Sequence, residues 1–212
     1  MLELIARIAT LSEGQCGHVT EAQAAAVGAS PDDIARLSAV RVTEPVVPGV
    51  FRLRGGGRHP FPRLFAQWLL LEPESKGWER QNGESGVVSH RSALRVHGLG
   101  DWPGPSAEFT LPTGPSRTSA ADIALHTQAG GLAPGEWQTI AGLPVTTPGR
   151  TLCDLALSPH AEPDAIARVA SAIIRRGLAS REDLATALNR FDPPVGGSKR
   201  LDDLLALHDG DI

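Results

Sequence analysis

Thr20 stands three residues before Gln23, Gly28 follows, and Ser30 directly precedes Pro31. That spacing tightly constrains the fold. Thr20 can cap a helix whose third residue, Gln23, reaches back to it, as a capping box requires. Gly28 ends that helix, because glycine takes the left-handed position beyond a helix C-terminus without a Cβ penalty. Ser30 caps a second helix, and Pro31 takes its first position, where a missing N–H costs nothing. Ile34, Leu37 and Val40 then form the buried stripe of that helix. After it the period changes to two. Phe51 and Leu53 fall on one side of a strand and Arg52 and Arg54 on the other, with Pro48-Gly49 as the turn before it. A first helix over residues 2–13, with Leu4, Ile8 and Leu11 on one face, packs on the pair.

Helix, turn, helix, then a hairpin with outward arginines is the order of a winged helix-turn-helix. It makes Thr20, Gln23, Ser30, Arg36, Arg41, Arg52 and Arg54 the candidate DNA contacts, with Arg52 and Arg54 aimed at phosphates. Asp32 and Asp33 open the recognition-like helix and are read as stabilising its N-terminus through the helix dipole. Base readout would then fall to Ser30, Arg36, the wing or the start of the preceding helix.

The hairpin ends near Arg54, and Gly55-Gly56-Gly57 reads as a flexible link. The expected fold is therefore α+β, with a winged helix-turn-helix at 1–58 and a mixed α/β domain ending in several helices at 59–212. Within the second domain, Pro60 and Pro62 open a helix carrying Leu64, Phe65, Trp68 and Leu69. Residues 73–86 read as loop. A helix over 89–98 is capped by Ser89 and stopped by Gly98. Strand character follows at 107–111, 123–126 and 137–146. Thr147 caps the next helix, one from Pro163 to Arg176 ends at Gly177, and Ser180 and Ser198 cap two more, the first with a stripe of Leu184, Leu188 and Phe191.

Hydrophobic residues make up 41% of the 212 residues, too many for a disordered chain. The net charge of −4 and a pI near 6.0 are unusual for a nucleic-acid binder. Basic and acidic groups balance over residues 1–58, so the whole excess of negative charge lies beyond them. Cys16 and Cys153 have no metal-ligand neighbour at a useful spacing and read as buried free thiols of a reducing compartment. Glu3 and Arg7 interrupt the first apolar residues, so no signal peptide is visible, and the longest apolar run, from Trp68 to Leu71, is too short for a bilayer. A soluble cytoplasmic protein without membrane partners is expected.

Three phrases, GHVTEAQAAAVG with PGVFRL, VVSHRSALRVHGL (87–99) and GLPVTTPGRTLCDLA (142–156), together resemble the AbiEi family of bacterial antitoxins from type IV toxin–antitoxin systems. The resemblance runs from about residue 5 to about residue 190. It implies a winged-helix domain that binds and represses the operon's own promoter, and a second domain with antitoxin activity. It also implies a nucleotidyltransferase-like toxin encoded nearby as a partner, and it leaves open a homodimer on DNA. Two alternatives stay open: a stand-alone transcriptional regulator whose second domain senses a ligand or dimerises, and a degenerate nuclease-related protein.

No catalytic residue, cofactor or metal is expected. A restriction-type nuclease needs a carboxylate pair and a lysine around a metal. The lysines are Lys76 and Lys199, and Glu74-Ser75-Lys76 falls in a polar stretch with no strand to hold it. His90 and His97 are seven apart, share a predicted helix face and read as structural or partner-facing. Arg150 and Asp154 are four apart and predict an ion pair on one helix. With Arg91 and Arg95, the residues His90, Arg150 and Asp154 make the candidate antitoxin or partner surface.

Overall fold

The computed structural model describes residues 1–80, 83–100, 102–113, 122–158, 162–191 and 196–209, with backbone alone at 191, 208 and 209. The Phe191 side chain thus lies outside the described residues. The fold is α+β. In chain order the first elements are α1 (Leu2–Glu13), β1 (His18–Thr20), α2 (Glu21–Ala26), α3 (Pro31–Ala39), β2 (Thr43–Val47) and β3 (Val50–Leu53). Then come α4 (Pro62–Leu69), β4 (Val87–Val88), α5 (His90–Val96), β5 (Ala107–Leu111), β6 (Ile123–Thr127), β7 (Trp137–Ile140) and β8 (Leu143–Thr146). The chain closes with α6 (Pro148–Ala156), α7 (Pro163–Arg175), α8 (Arg181–Phe191) and α9 (Gly197–Asp209). No described helix is long and apolar enough to cross a membrane.

Both helix starts in the first unit form as their sequences dictate. Thr20 accepts from the Gln23 N–H while the Gln23 side chain returns to the Thr20 N–H, and Ser30 and Asp33 make the same exchange. The carboxylate of Asp33 therefore belongs to a capping box rather than to the dipole alone. Gly28 takes φ +92 just past α2. Val40, expected in the stripe, is 69% exposed, because α3 ends at Ala39 and the chain turns through Arg41 at φ 61. A third strand that the sequence did not announce, β1, pairs antiparallel with β3, giving the order β1-β3-β2. Ile8, Val19, Ala24, Ala29, Leu37 and Phe51 fill the space between this sheet and the three helices.

Extensive packing crosses the glycine link. A Cβ on Gly56 would stand 2.6 Å from the Gly17 Cα, so the link lies flat on the turn before β1, where only glycine fits. Val47 and Val50 of the hairpin share a cluster with Ala66 of α4, and Leu70 packs against it. Gln15 and Gln23 exchange amide hydrogen bonds of 3.0 and 3.1 Å, and their remaining groups reach His18 O, Ser75 O and the Gly77 N–H. The stretch expected as loop thus carries a short 3-10 helix, Gly77–Glu79, seated against the first unit. Just after it, Arg80 is 1% exposed. Its guanidinium donates to the C-terminal carbonyls Trp68 O and Leu69 O of α4 and to Ser85 O, and lies 4.3 Å from the Trp68 ring centroid. That guanidinium satisfies carbonyls a helix end otherwise leaves unpaired.

The second sheet has the order β6-β5-β4-β8-β7 and is mixed: β4 runs antiparallel to β5 and parallel to β8, and β5 runs parallel to β6. The segment expected as one strand over 137–146 is a hairpin, β7 and β8, turning at Ala141 and Gly142 with φ 50 and 82. One face of the sheet, with Val88, Ala107, Phe109, Leu143 and Val145, packs on Leu64, Phe65, Trp68 and Leu69 of α4. A second core joins α5 to α6, α7, α8 and α9 through Leu94, Leu152, Leu155, Val169, Ile173, Leu184 and Leu201. Two expected caps differ. Ser89 makes no side-chain capping bond to α5, and Ser198 lies inside α9, which starts at Gly197.

The glutamine pair generates a test. Gln15→Leu leaves the Gly77 N–H, the His18 carbonyl and part of the Gln23 amide buried without partners. Each orphaned group costs about 1–3 kcal/mol, so urea unfolding should show a loss of at least ~2 kcal/mol. A loss below ~0.5 kcal/mol would mean that water replaces the amide at no cost.

Candidate functional site

The seven candidate DNA contacts separate into two groups. Thr20 and Gln23 are 0% and 2% exposed, and their side chains reach Pro73 O and Ser75 O, so neither faces solvent. Arg52 is also turned inward. The register sets it opposite Glu44, to which its Nε donates at 3.0 Å, and its side chain lies against Gly17. The alternation of the strand is as expected, but β1 and the turn before it cover the side on which Arg52 falls. This corrects the expectation of an outward Arg52 at phosphate. Ser30 is at the surface with its hydroxyl occupied: it donates to Asp33 Oδ2 at 2.6 Å and accepts from the Asp33 N–H. Arg36, Arg41 and Arg54 remain exposed. Arg36 stands 3.9 Å from Asp33, and Arg54 Nε is 3.2 Å from Glu44. The Arg54 N–H donates to Val42 O, which brings Arg54 beside the Arg41 turn at the end of α3. Exposed Arg58 belongs to the same end, near enough to Glu44 to help hold its carboxyl below the usual range, the largest cause being the hydrogen bond from Arg52.

The second candidate surface is mostly interior. Arg150 is 7% exposed and acts as a hub. Its Nε donates to Asp154 Oδ1 at 2.6 Å, its Nη1 stands 3.4 Å from Glu136 Oε2, and its Nη2 bonds Gln128. The pair predicted at i, i+4 is present, within a network that adds Gln128 and Glu136 from two other segments. His90 stacks on His126 with centroids 3.6 Å apart and planes 14° apart. His126 Nε2 is 3.5 Å from Glu108, and the Glu108 carboxylate accepts from the Arg91 N–H at 2.8 Å. Ser89 Oγ accepts from Thr110 and sits 3.0 Å from His90 Nδ1. His90 holds φ 49 at the strand-to-helix junction, a left-handed conformation that a residue with a Cβ adopts at a cost. His97, expected on the same face, goes elsewhere: its Nε2 bonds Thr146 O at 2.8 Å. Arg95 leaves the cluster too, donating to Ser92 Oγ and Ser106 O.

Together His90, Thr110, His126, Gln128, Arg150 and Asp154 line an open cleft of about 250 Å³. Burial and the neighbouring His126 hold His90 down to about 3, so it is neutral at physiological pH. Burial raises Asp154 to about 6 against the attraction of Arg150, and its Oδ2 has no hydrogen-bond partner among the described residues. At Glu108 burial pushes the carboxyl up, but His126 and the Arg91 N–H outweigh it and hold the group below its ordinary value. Cys153 is buried and its thiol is pushed up to about 12, so it is inert. Lys76 pairs with Glu79 at 3.1 Å, and neither lysine borders the cleft. Among the described residues no group of His, Cys, Asp or Glu is arranged to hold a metal ion.

Glu108, Thr110, Gln128 and Glu136 were not singled out in the sequence. A signal existed for the first two: in AEFTL, Glu108 and Thr110 alternate with Phe109, and the parallel register then sets Thr110 beside His126. Nothing local marks Gln128 or Glu136, which reach Arg150 across 22 and 14 residues of chain.

No protein-family model matches the chain, and no curated protein matches it. Among solved structures it is similar to the crystal structure of the RV2827C protein from Mycobacterium tuberculosis. The two are 17% identical, and the likeness covers 97% of this chain and 81% of that one with a TM-score of 0.53. At that identity the likeness shows the shared fold alone.

The raised carboxyl of Asp154 predicts a pH effect. Between about pH 4 and pH 6 the folded chain keeps a proton that the unfolded chain has released, so ionisation costs stability as pH rises through that window. Asparagine cannot ionise. The unfolding free energy of Asp154→Asn should therefore gain on the wild type by about 1–3 kcal/mol from pH 4 to pH 6, whatever constant offset the lost ion pair adds. A difference that stays flat with pH would refute the perturbed carboxyl.

Proposed function

We propose that the chain is a DNA-binding, antitoxin-type transcriptional regulator that represses its own promoter and counteracts a nucleotidyltransferase-like toxin, without catalysis of its own. The observation that carries this reading is the order α1-β1-α2-α3-β2-β3 with sheet order β1-β3-β2, the arrangement of a winged helix-turn-helix. It leaves Asp32, Ala35, Arg36 and Ala39 on the open side of α3. Such a helix enters a major groove, and small residues beside Arg36 allow close approach to base edges. Arg41, Arg54 and Arg58 cluster at the C-terminal end of α3 and supply phosphate contacts. The tip of the hairpin contributes little, because Gly49 packs against Leu70 after α4. The antitoxin half rests on the resemblance of the 87–99 and 142–156 phrases.

One observation favours a second reading, a stand-alone regulator whose larger part senses a ligand. Asp154 presents to a polar cleft a buried Oδ2 without a hydrogen-bond partner among the described residues, an arrangement that stability alone does not require. A nucleotidyltransferase-like gene beside this one, and rescue of cells expressing it, would separate the antitoxin from the regulator.

Fluorescence anisotropy with the native upstream duplex and a random duplex tests the DNA reading. Few exposed arginines predict a shallow slope of about −2 to −4 in log K against log salt. Arg36→Ala should relax the preference for the native duplex, whereas Arg54→Ala should weaken both duplexes alike. Arg52→Ala should lower thermal stability and leave the affinity of the folded protein within about twofold. Equal binding to both duplexes at every salt concentration would defeat specific regulation.

A further inference from the structure

Beside α5, the residues after Gly98 and α7 border a groove of about 600 Å³. Its floor is apolar: Leu99, Trp102 and Pro103 from the loop face Ala165, Val169 and Ala172 from α7. The α7 residues recur at i, i+4 and i+7 and so form one stripe. Trp102 is only partly buried, packed by one side on the helical core. The rim is charged unevenly. Among the described residues Arg168, Arg175 and Arg91, the last with its Nη1 3.8 Å from Glu108, border the groove with the carboxylate of Glu162. Arg168 and Arg175 are both exposed and make no ion pair or hydrogen bond to a described residue. Seven residues apart on α7, they lie on the same side of the helix, about 10 Å apart along its axis.

We propose that this groove binds a small amphipathic anion, an acyl or aromatic carboxylate whose apolar body lies between Trp102 and Val169 and whose head group meets Arg168 or Arg175. The excess of positive charge selects an anion. The floor selects its body: among the described lining residues the polar groups are the arginines, Glu162 and the Trp102 indole N–H, too few to meet the hydroxyls of a ribose or sugar. A guanidinium suits a carboxylate because two parallel N–H groups match its two oxygens. None of the DNA-facing residues borders the groove, so binding here stands or falls independently of the DNA-binding reading.

The test uses the full chain with dodecanoate as ligand, followed by calorimetry and by displacement of anilinonaphthalene sulfonate. Saturable binding near one ligand per chain is expected, with a change in tryptophan fluorescence that Trp102→Phe removes. The surface variant Arg168→Glu/Arg175→Glu should weaken dodecanoate at least about tenfold at unchanged melting temperature. Ala172→Trp should fill the groove and abolish binding. Dodecanoate affinity that is unchanged in the double arginine variant would overturn the proposal, because exposed charge reversal cannot act there by unfolding the chain. Tighter binding of adenosine monophosphate than of dodecanoate, lost in the same variant, would also overturn it in favour of a nucleotide site.

Discussion

The two glutamines that face each other inside the first unit hold the molecule to a single arrangement. A primary amide carries donors and an acceptor that must all be satisfied once water is gone. Gln15 and Gln23 are 0% and 2% exposed, and each meets the other and the backbone. Two of the backbone groups, Ser75 O and the Gly77 N–H, belong to the stretch after α4. Satisfying the pair therefore fixes where that stretch lies, and with it Arg80, three residues after Gly77, which closes the C-terminus of α4. Helix α4 in turn covers one face of the five-stranded sheet. A chain of buried polar contacts thus runs from the turn after α1 to the central core.

That chain has a functional consequence. The residues that cap α2 are spent on internal contacts, and so is Arg52. Under the proposed function, the surface left for DNA is the outer side of α3 with the arginines at its C-terminal end, a narrower and more neutral patch than a free hairpin with two outward arginines would offer. Under the proposed DNA-binding function, affinity from so few phosphate contacts would be modest, and specificity would come from close approach of α3 to base edges.

The polar layer beneath α5 follows from strand alternation. Phe109 and its neighbours point toward α4, so Glu108 and Thr110 must point the other way, into a space bounded by α5 and α6. Buried carboxylates there require cations and donors, and Arg150, Arg91 and the backbone of α5 supply them. His90 is drawn into this layer at the cost of a left-handed backbone.

Local rules were legible in the chain. The Thr20–Gln23 capping box, the Ser30-Pro31 start of α3, the glycine after α2, the i, i+4 pair of Arg150 and Asp154, the start of α6 at Thr147-Pro148 and the long apolar face of α7 depend on groups within about four residues of one another, and such contacts survive whatever the rest of the fold does. Burial was not legible in the same way. The three-residue β1 and two-residue β4 are too short to show a period, and they exist because β3, β5 and β8 offer open edges to pair with. Arg52 carries the same sequence signature as an exposed strand arginine, and the contacts that enclose it, Glu44 on β2 and the Gly17 turn before β1, come from elsewhere in the chain. Glu136 and Gln128 reach Arg150 across the sheet, and no spacing rule spans that distance. The sequence by itself determined where α2, α3 and α6 begin and which face of α7 is apolar, because those are short-range effects of capping and periodicity. The tertiary structure decided which polar residues face water and which meet each other, because that depends on what each face is packed against.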